Sequence, residues 1–142
     1  MGMQVLVAED EALIAMALAD LLEAEGYDVA LAPDGADALD AARRLGDGLG
    51  VLVTDLNMPR MDGEALIRAL RAERPGLPVV VVTGSAPFGG VEELQHHAGG
   101  HGPLQLLLKP VDCEALITAL QRATTARVAW QNAASTGAAA SA

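Results

Sequence analysis

A doubly wound α/β fold around a parallel five-stranded sheet is the class this chain predicts, on three observations. Short β-rich runs alternate with helical stretches from residue 3 to about residue 122. Apolar residues make up 51% of the 142, yet aromatics are only 2%, namely Tyr27, Phe88 and Trp130, so the core is to be built from Val, Leu, Ile and Ala. Runs such as Val79–Val82 are apolar without alternation, the pattern of a strand covered on both faces, as strands of parallel sheets are. The length suits one domain with a substantial core.

Taken in order, Met3–Ala8 reads as the first strand, and Ala12–Ala24 as a helix with Leu13, Ala17 and Leu21 on one face. Asp28–Ala32 is the second strand. Asp34 and Asp37 form a pair like a capping box, opening a helix that runs to about Leu45. Asp47–Gly50 is a turn and Val51–Thr54 the third strand. Residues 57–63 form a loop, and Asp62 caps a helix to about Glu73. Arg74–Pro78 breaks the pattern before the fourth strand, Val79–Val82. The next helix is confined to Val91–Ala98, because Gly89, Gly90, Gly99, Gly100 and Gly102 surround it. Leu104–Leu108 is the fifth strand, and Asp112 starts a last helix to about Arg122, with Leu116, Ile117 and Leu120 inward. Five such units joined by right-handed crossovers give a flavodoxin-like strand order, 2-1-3-4-5, with about five helices. Residues 1–126 form the expected domain. The Ala-rich segment 127–142 is expected to be an extension of the last helix or disordered.

The formal net charge of −10 argues against nucleic acid or an anionic membrane as partner, since both call for Lys and Arg opposite phosphates. A lone cysteine, Cys113, allows no internal disulfide and is read as an inert small side chain. No basic region precedes an apolar one at the N-terminus, and no run approaches the roughly 18 apolar residues of a membrane span. Gly2 opens no myristoylation pattern, because Leu6 stands where Ser or Thr is needed. A cytoplasmic protein is the expectation.

In open parallel sheets, sites form beyond the carboxyl ends of the strands. Here those ends carry Glu9–Asp10, Asp55, Thr83 and Lys109, and Lys109 is the only lysine of the chain. Converging carboxylates repel one another and call for a cation. Mg2+ suits them as a hard ion that leaves positions open for water and phosphate oxygens. Adding Mg2+, Lys109, Glu9, Asp10 and Asp55 gives about zero formal charge, so a phosphoryl group fits among metal, ammonium and the Thr83 hydroxyl. Gly84 leaves the backbone open to close approach.

Glu9–Asp10, the run Asp55 to Gly63 with its Met58-Pro59-Arg60-Met61-Asp62-Gly63, Thr83–Gly84 and Lys109–Pro110 resemble the receiver domain of two-component response regulators. The resemblance covers roughly residues 3–125. It implies that Asp55 accepts a phosphoryl group from a phosphohistidine, borne by a histidine kinase or a histidine phosphotransfer protein. Asp10, Asp55 and the backbone carbonyl of Asn57 would ligate Mg2+, with Glu9 acting directly or through water. Thr83 would bond a phosphoryl oxygen and Lys109 would pair with the group. Asn57 and Ser85 would flank the hydrolytic water. The Lys–Pro bond of the family is commonly cis. On this reading the chain is a non-enzymatic, single-domain signalling protein, monomer or weak homodimer, that acts through protein contacts or as a phosphate sink.

Two departures stand out. Leu106 occupies the switch position where the family usually carries Tyr or Phe, and the segment 89–102 is longer and richer in glycine than usual, which predicts a mobile surface there. Leu106 keeps open a receiver-like interaction module that works without phosphorylation. A Mg2+-dependent phosphohydrolase would usually carry a second Asp two residues after its nucleophile, where Asn57 stands. A flavin carrier would be repelled by Glu9–Asp10–Glu11. His96, His97 and His101 read as solvated rather than as a metal site. The uncharged first turns of the first helix, Ala12–Ala19, read either as a covered face or as a dock for a partner's helix.

Overall fold

A computed structural model describes residues 2–85, 89–97 and 102–126. The expected tail at 127–142 and the expectations for Ala98 and His101 lie outside those residues. The elements are β1 (Gln4–Ala8), α1 (Ala12–Ala24), β2 (Asp28–Ala32), α2 (Gly35–Leu45), β3 (Leu49–Thr54), α3 (Gly63–Glu73), β4 (Val79–Thr83), α4 (Gly90–His97) and β5 (Leu104–Leu108). A fifth helix, α5, occupies 113–126. The strands pair in parallel in the order β2-β1-β3-β4-β5, as expected for the flavodoxin-like class.

β3 and β4 are buried along their whole length, because helices cover both faces of the sheet. Alternating side chains therefore feed two cores. Leu6, Leu52, Val79 and Val81 pack with α2, α3 and α4 through Ala38, Leu66, Ile67, Leu70 and Leu94. Val5, Val7, Val51, Val53, Val80 and Val82 pack with α1 and α5 through Leu18, Leu22, Leu116 and Leu120. The helix starts are where the sequence puts them. Asp34 accepts from the N–H of Asp37 at 2.8 Å, Asp62 from Ala65 at 2.8 Å and Asp112 from Ala115 at 3.1 Å, each cap contributing about 1 kcal/mol.

Some bounds and faces differ from expectation. β3 starts at Leu49, inside the predicted turn, because a short 3-10 turn at Gly46–Gly48 completes the reversal and Gly50 lets the Met3 side chain lie against the strand. β4 extends to Thr83, and α5 passes Arg122 because Ala123 continues its buried register. α1 buries Ala15, Leu18, Ala19 and Leu22, not the face of Leu13, Ala17 and Leu21, and Leu13 is 83% exposed. The first two turns of α1 are apolar all round, so they present no unique face of their own. Here Leu18 and Leu22 pack into the sheet core, and Ala15 and Ala19 are buried with them.

Candidate functional site

Four strand ends, those of β1, β3, β4 and β5, meet at the carboxyl edge of the sheet. Asp55 follows β3 and is held from behind by its own N–H, which donates to the Ala8 carbonyl at 3.0 Å. Its Oδ1 accepts from the N–H groups of Leu56 (2.7 Å) and Asn57 (3.3 Å), so one carboxylate oxygen is fixed by backbone. The other, Oδ2, receives the Lys109 ammonium at 3.0 Å. Lys109 also makes an ion pair with Glu9 Oε1 at 2.7 Å. The second oxygen of Glu9 accepts the Glu11 N–H at 3.1 Å. Lys109 is placed by its own N–H, which donates to the Thr83 carbonyl at 2.8 Å, and the Lys109–Pro110 bond is cis.

Glu9, Asp10 and Asp55 each offer a carboxylate oxygen within 4.8 Å of the others, Glu9 and Asp55 from buried positions and Asp10 from an exposed one. An all-oxygen, all-anionic donor set that opens to solvent on one side fits Mg2+. The electrostatics agree. Burial pushes the Glu9 carboxyl up, and the Lys109 ammonium only partly offsets it. Burial pulls the Lys109 ammonium down, but Glu9 and Asp55 together outweigh that and leave it above its ordinary value. Thr83 is fully buried, and its Oγ1 has no hydrogen-bond partner among the described residues. An unpaired buried hydroxyl is costly and can donate to an acceptor brought to the site.

The run from Asp55 to Gly63 wraps this cluster tightly. A Cβ on Gly63 would overlap the Asp55 carbonyl, and one on Gly35 would overlap the Met61 carbonyl. Arg60 sits at φ 69, a left-handed conformation unusual outside glycine. Its guanidinium pairs with Asp34 at 3.1 Å and Asp37 at 3.6 Å, so the loop is tied to the start of α2. The sequence offered Asp34 only as a cap. Its second role depends on a residue 26 positions away, and no local pattern announces it.

The model of the response regulator receiver domain matches residues 5–121. The chain belongs to that family. This receiver is 36% identical over 121 residues to the transcriptional regulatory protein PdtaR of Mycobacterium tuberculosis, covering 84% of this chain and 56% of PdtaR. It superimposes on the Vibrio cholerae chemotaxis protein CheY4 with a TM-score of 0.76 at 28% identity, covering 87% and 99% of the two chains. It is equally similar in sequence, at 28%, to the receiver domain of the Pseudomonas aeruginosa sensor histidine kinase PA1611, with a TM-score of 0.73 and coverage of 88% and 99%. That structure has a magnesium ion coordinated in its active site cleft. The chain spans from 9% to 56% of the length of the curated relatives it matches.

Beside the receiver's acidic cluster lies an open apolar groove. Leu13, Ile14, Ala17 and Leu21 of α1 form one wall, and Lys109, Pro110 and Val111 the other. The α1 face that the sequence left undecided between covered and available is therefore exposed in part, with Met16 at 57%. The switch position, Leu106, is half-buried and packs on the core that contains Leu94. Ser85 is exposed just past β4. No described helix is long and apolar enough to cross a membrane.

Proposed function

We propose that this receiver accepts a phosphoryl group on Asp55 from a phosphohistidine of a histidine kinase or histidine phosphotransfer protein, in a Mg2+-dependent reaction. The observation that carries the proposal is the division of labour at Asp55. One oxygen is held by two backbone N–H groups, and the other faces the Lys109 ammonium beside two further carboxylates. The Oδ2 lone pair attacks phosphorus, the P–N bond breaks, and its electron pair stays on the departing imidazole. Mg2+, held by Asp10, Asp55 and the Asn57 carbonyl with Glu9 directly or through water, would neutralise charge on the transferred group. Lys109 would pair with a phosphoryl oxygen, and the unpartnered Thr83 hydroxyl would donate to another. Asn57 and Ser85 would border the water that later hydrolyses the acyl phosphate.

The α1 groove ends on Pro110 and Val111, next to Lys109, so a partner helix seated there would bring its phosphohistidine to the site. Acting through protein contacts or as a phosphate sink, as a cytoplasmic monomer or weak homodimer, the chain would need no activity on a separate substrate. Leu106 favours one competing reading, an interaction module that signals without phosphorylation. Intact mass after incubation with Mg2+ and acetyl phosphate separates the two. The expected result is one added phosphoryl group on the wild type, none with EDTA and none on Asp55→Asn. A wild type that stays unmodified while a control receiver is modified refutes the proposal.

A further inference from the structure

Arg71 lies on α3 and is only 3% exposed, yet the acceptors it reaches are neutral. Nη2 donates to the carbonyls of Pro103 (2.6 Å) and Leu77 (3.4 Å), and Nη1 donates to Gln95 Oε1 (3.0 Å). Burial without a compensating anion pulls the guanidinium down to about 10. Gly102 lies against it, where a Cβ would come within 3.1 Å of Nε and Nη2. One side chain thus joins the approach to β4, the approach to β5 and the body of α4.

The three bonds are unequal. The two from Nη2 end on backbone carbonyls that lead directly into buried strands. The one from Nη1 ends on a half-buried side chain, where water can take the place of Gln95. Among the described side chains of α4, Leu94 is the fully buried one, while Val91, Glu92, Glu93 and His96 are exposed. The chain enters it through Gly89 and Gly90, at φ 83 and 69, two successive left-handed residues that suit glycine. Few buried contacts and a hinge at one end are what a locally opening element requires.

We infer that Arg71 and Gln95 form a releasable latch on α4, with Arg71 as the fixed post and Gln95 as the part that lets go. Released, α4 would pivot at Gly89–Gly90 while Arg71 stays bound to Pro103 and Leu77. The inference concerns the docking of α4 alone and does not depend on phosphorylation of Asp55.

Replacing Arg71 itself risks the fold, so the test alters Gln95. Amide hydrogen exchange of the full chain is followed by mass spectrometry for wild type, Gln95→Ala and Gln95→Glu. Gln95→Ala should speed exchange in residues 90–97 about tenfold, as expected when one hydrogen bond to a charged donor is lost, with β1 and β3 unchanged. Gln95→Glu sets a carboxylate against the guanidinium and should slow exchange in the same residues. Exchange in 90–97 that ignores both substitutions, or that rises equally in β1 and β3 with Gln95→Ala, overturns the latch.

Discussion

Removing the lone lysine should destabilise the protein, and by an amount that depends on pH and on Mg2+. Lys109 approaches Glu9 at 2.7 Å and Asp55 at 3.0 Å, and the three side chains are 18%, 1% and 8% exposed. At an effective dielectric of about 20, each contact is worth roughly 5–6 kcal/mol of gross attraction. Lys109→Ala forfeits both but also spares the burial of an ammonium. The net loss expected in EDTA at pH 7 is about 3 kcal/mol, in the range for stranding one side of a buried pair. Two effects should shrink it. Burial already raises Glu9 above its ordinary value of 4.5, and loss of Lys109 raises it further. A carboxyl raised by folding carries its full penalty above its folded pKa and none below its unfolded one, so the deficit should narrow as pH falls from 7 toward 5. On the proposed function, Mg2+ would replace the lost charge without competing with an ammonium, so it should stabilise the variant more than the wild type. Urea unfolding at pH 7 and pH 5, with EDTA or Mg2+, reads all three. A loss below about 1 kcal/mol at pH 7 in EDTA, or a deficit of the same size at pH 5, refutes the charge argument.

Two other perturbations test different parts of the structure. Gly63→Ala drives a methyl into the Asp55 carbonyl and should cost at least about 2 kcal/mol in thermal or urea unfolding, while Gly48→Ala, which meets nothing, should cost far less. Tyr27 is the only tyrosine, so phenolate absorbance reports it alone. Burial, helped by Glu25, should move its midpoint above the ordinary 10.0, and because the folded state then keeps a proton the unfolded state has lost, stability should fall as pH rises through that window.

The frame of this receiver was readable because its signals are local. An apolar run of five residues, an Asp capping three residues ahead and a glycine break each act within one turn, and the parallel order then forces the strand ends together. That is why Glu9, Asp10, Asp55, Thr83 and Lys109 could be named from sequence, and why their contacts follow once the sheet is formed. What escaped depends on distant partners. Arg71 occupies a position on an amphipathic helix that charge alone would assign to solvent, and only the carbonyls of Leu77 and Pro103 explain its burial. Arg60 and Asp34 meet across 26 residues. The buried face of α1 was hidden for the opposite reason: almost every residue of its first two turns is apolar, so the sheet, not the helix, chooses.

Leu106 sharpens what a signal would have to travel through. It stands opposite Val81 in the β4–β5 ladder, two residues before the Thr83–Leu108 pair at the site. An aromatic residue there could swing between solvent and a buried slot, whereas leucine offers no comparable movement and no hydroxyl. On the proposed function, a shift of Thr83 toward a phosphoryl group would reach Leu106 only as a change of packing within the core that Leu106 shares with Leu94. Leu94 is the buried anchor of α4, and the neighbouring residue is Gln95. Packing at Leu106 would therefore bear on the helix that the Arg71–Gln95 bond also holds. Loss of the aromatic residue at position 106 does not by itself disconnect the site from the surface. On the proposed function it would move the readout from a rotating side chain to the docking of a helix, a larger element and one open to local displacement.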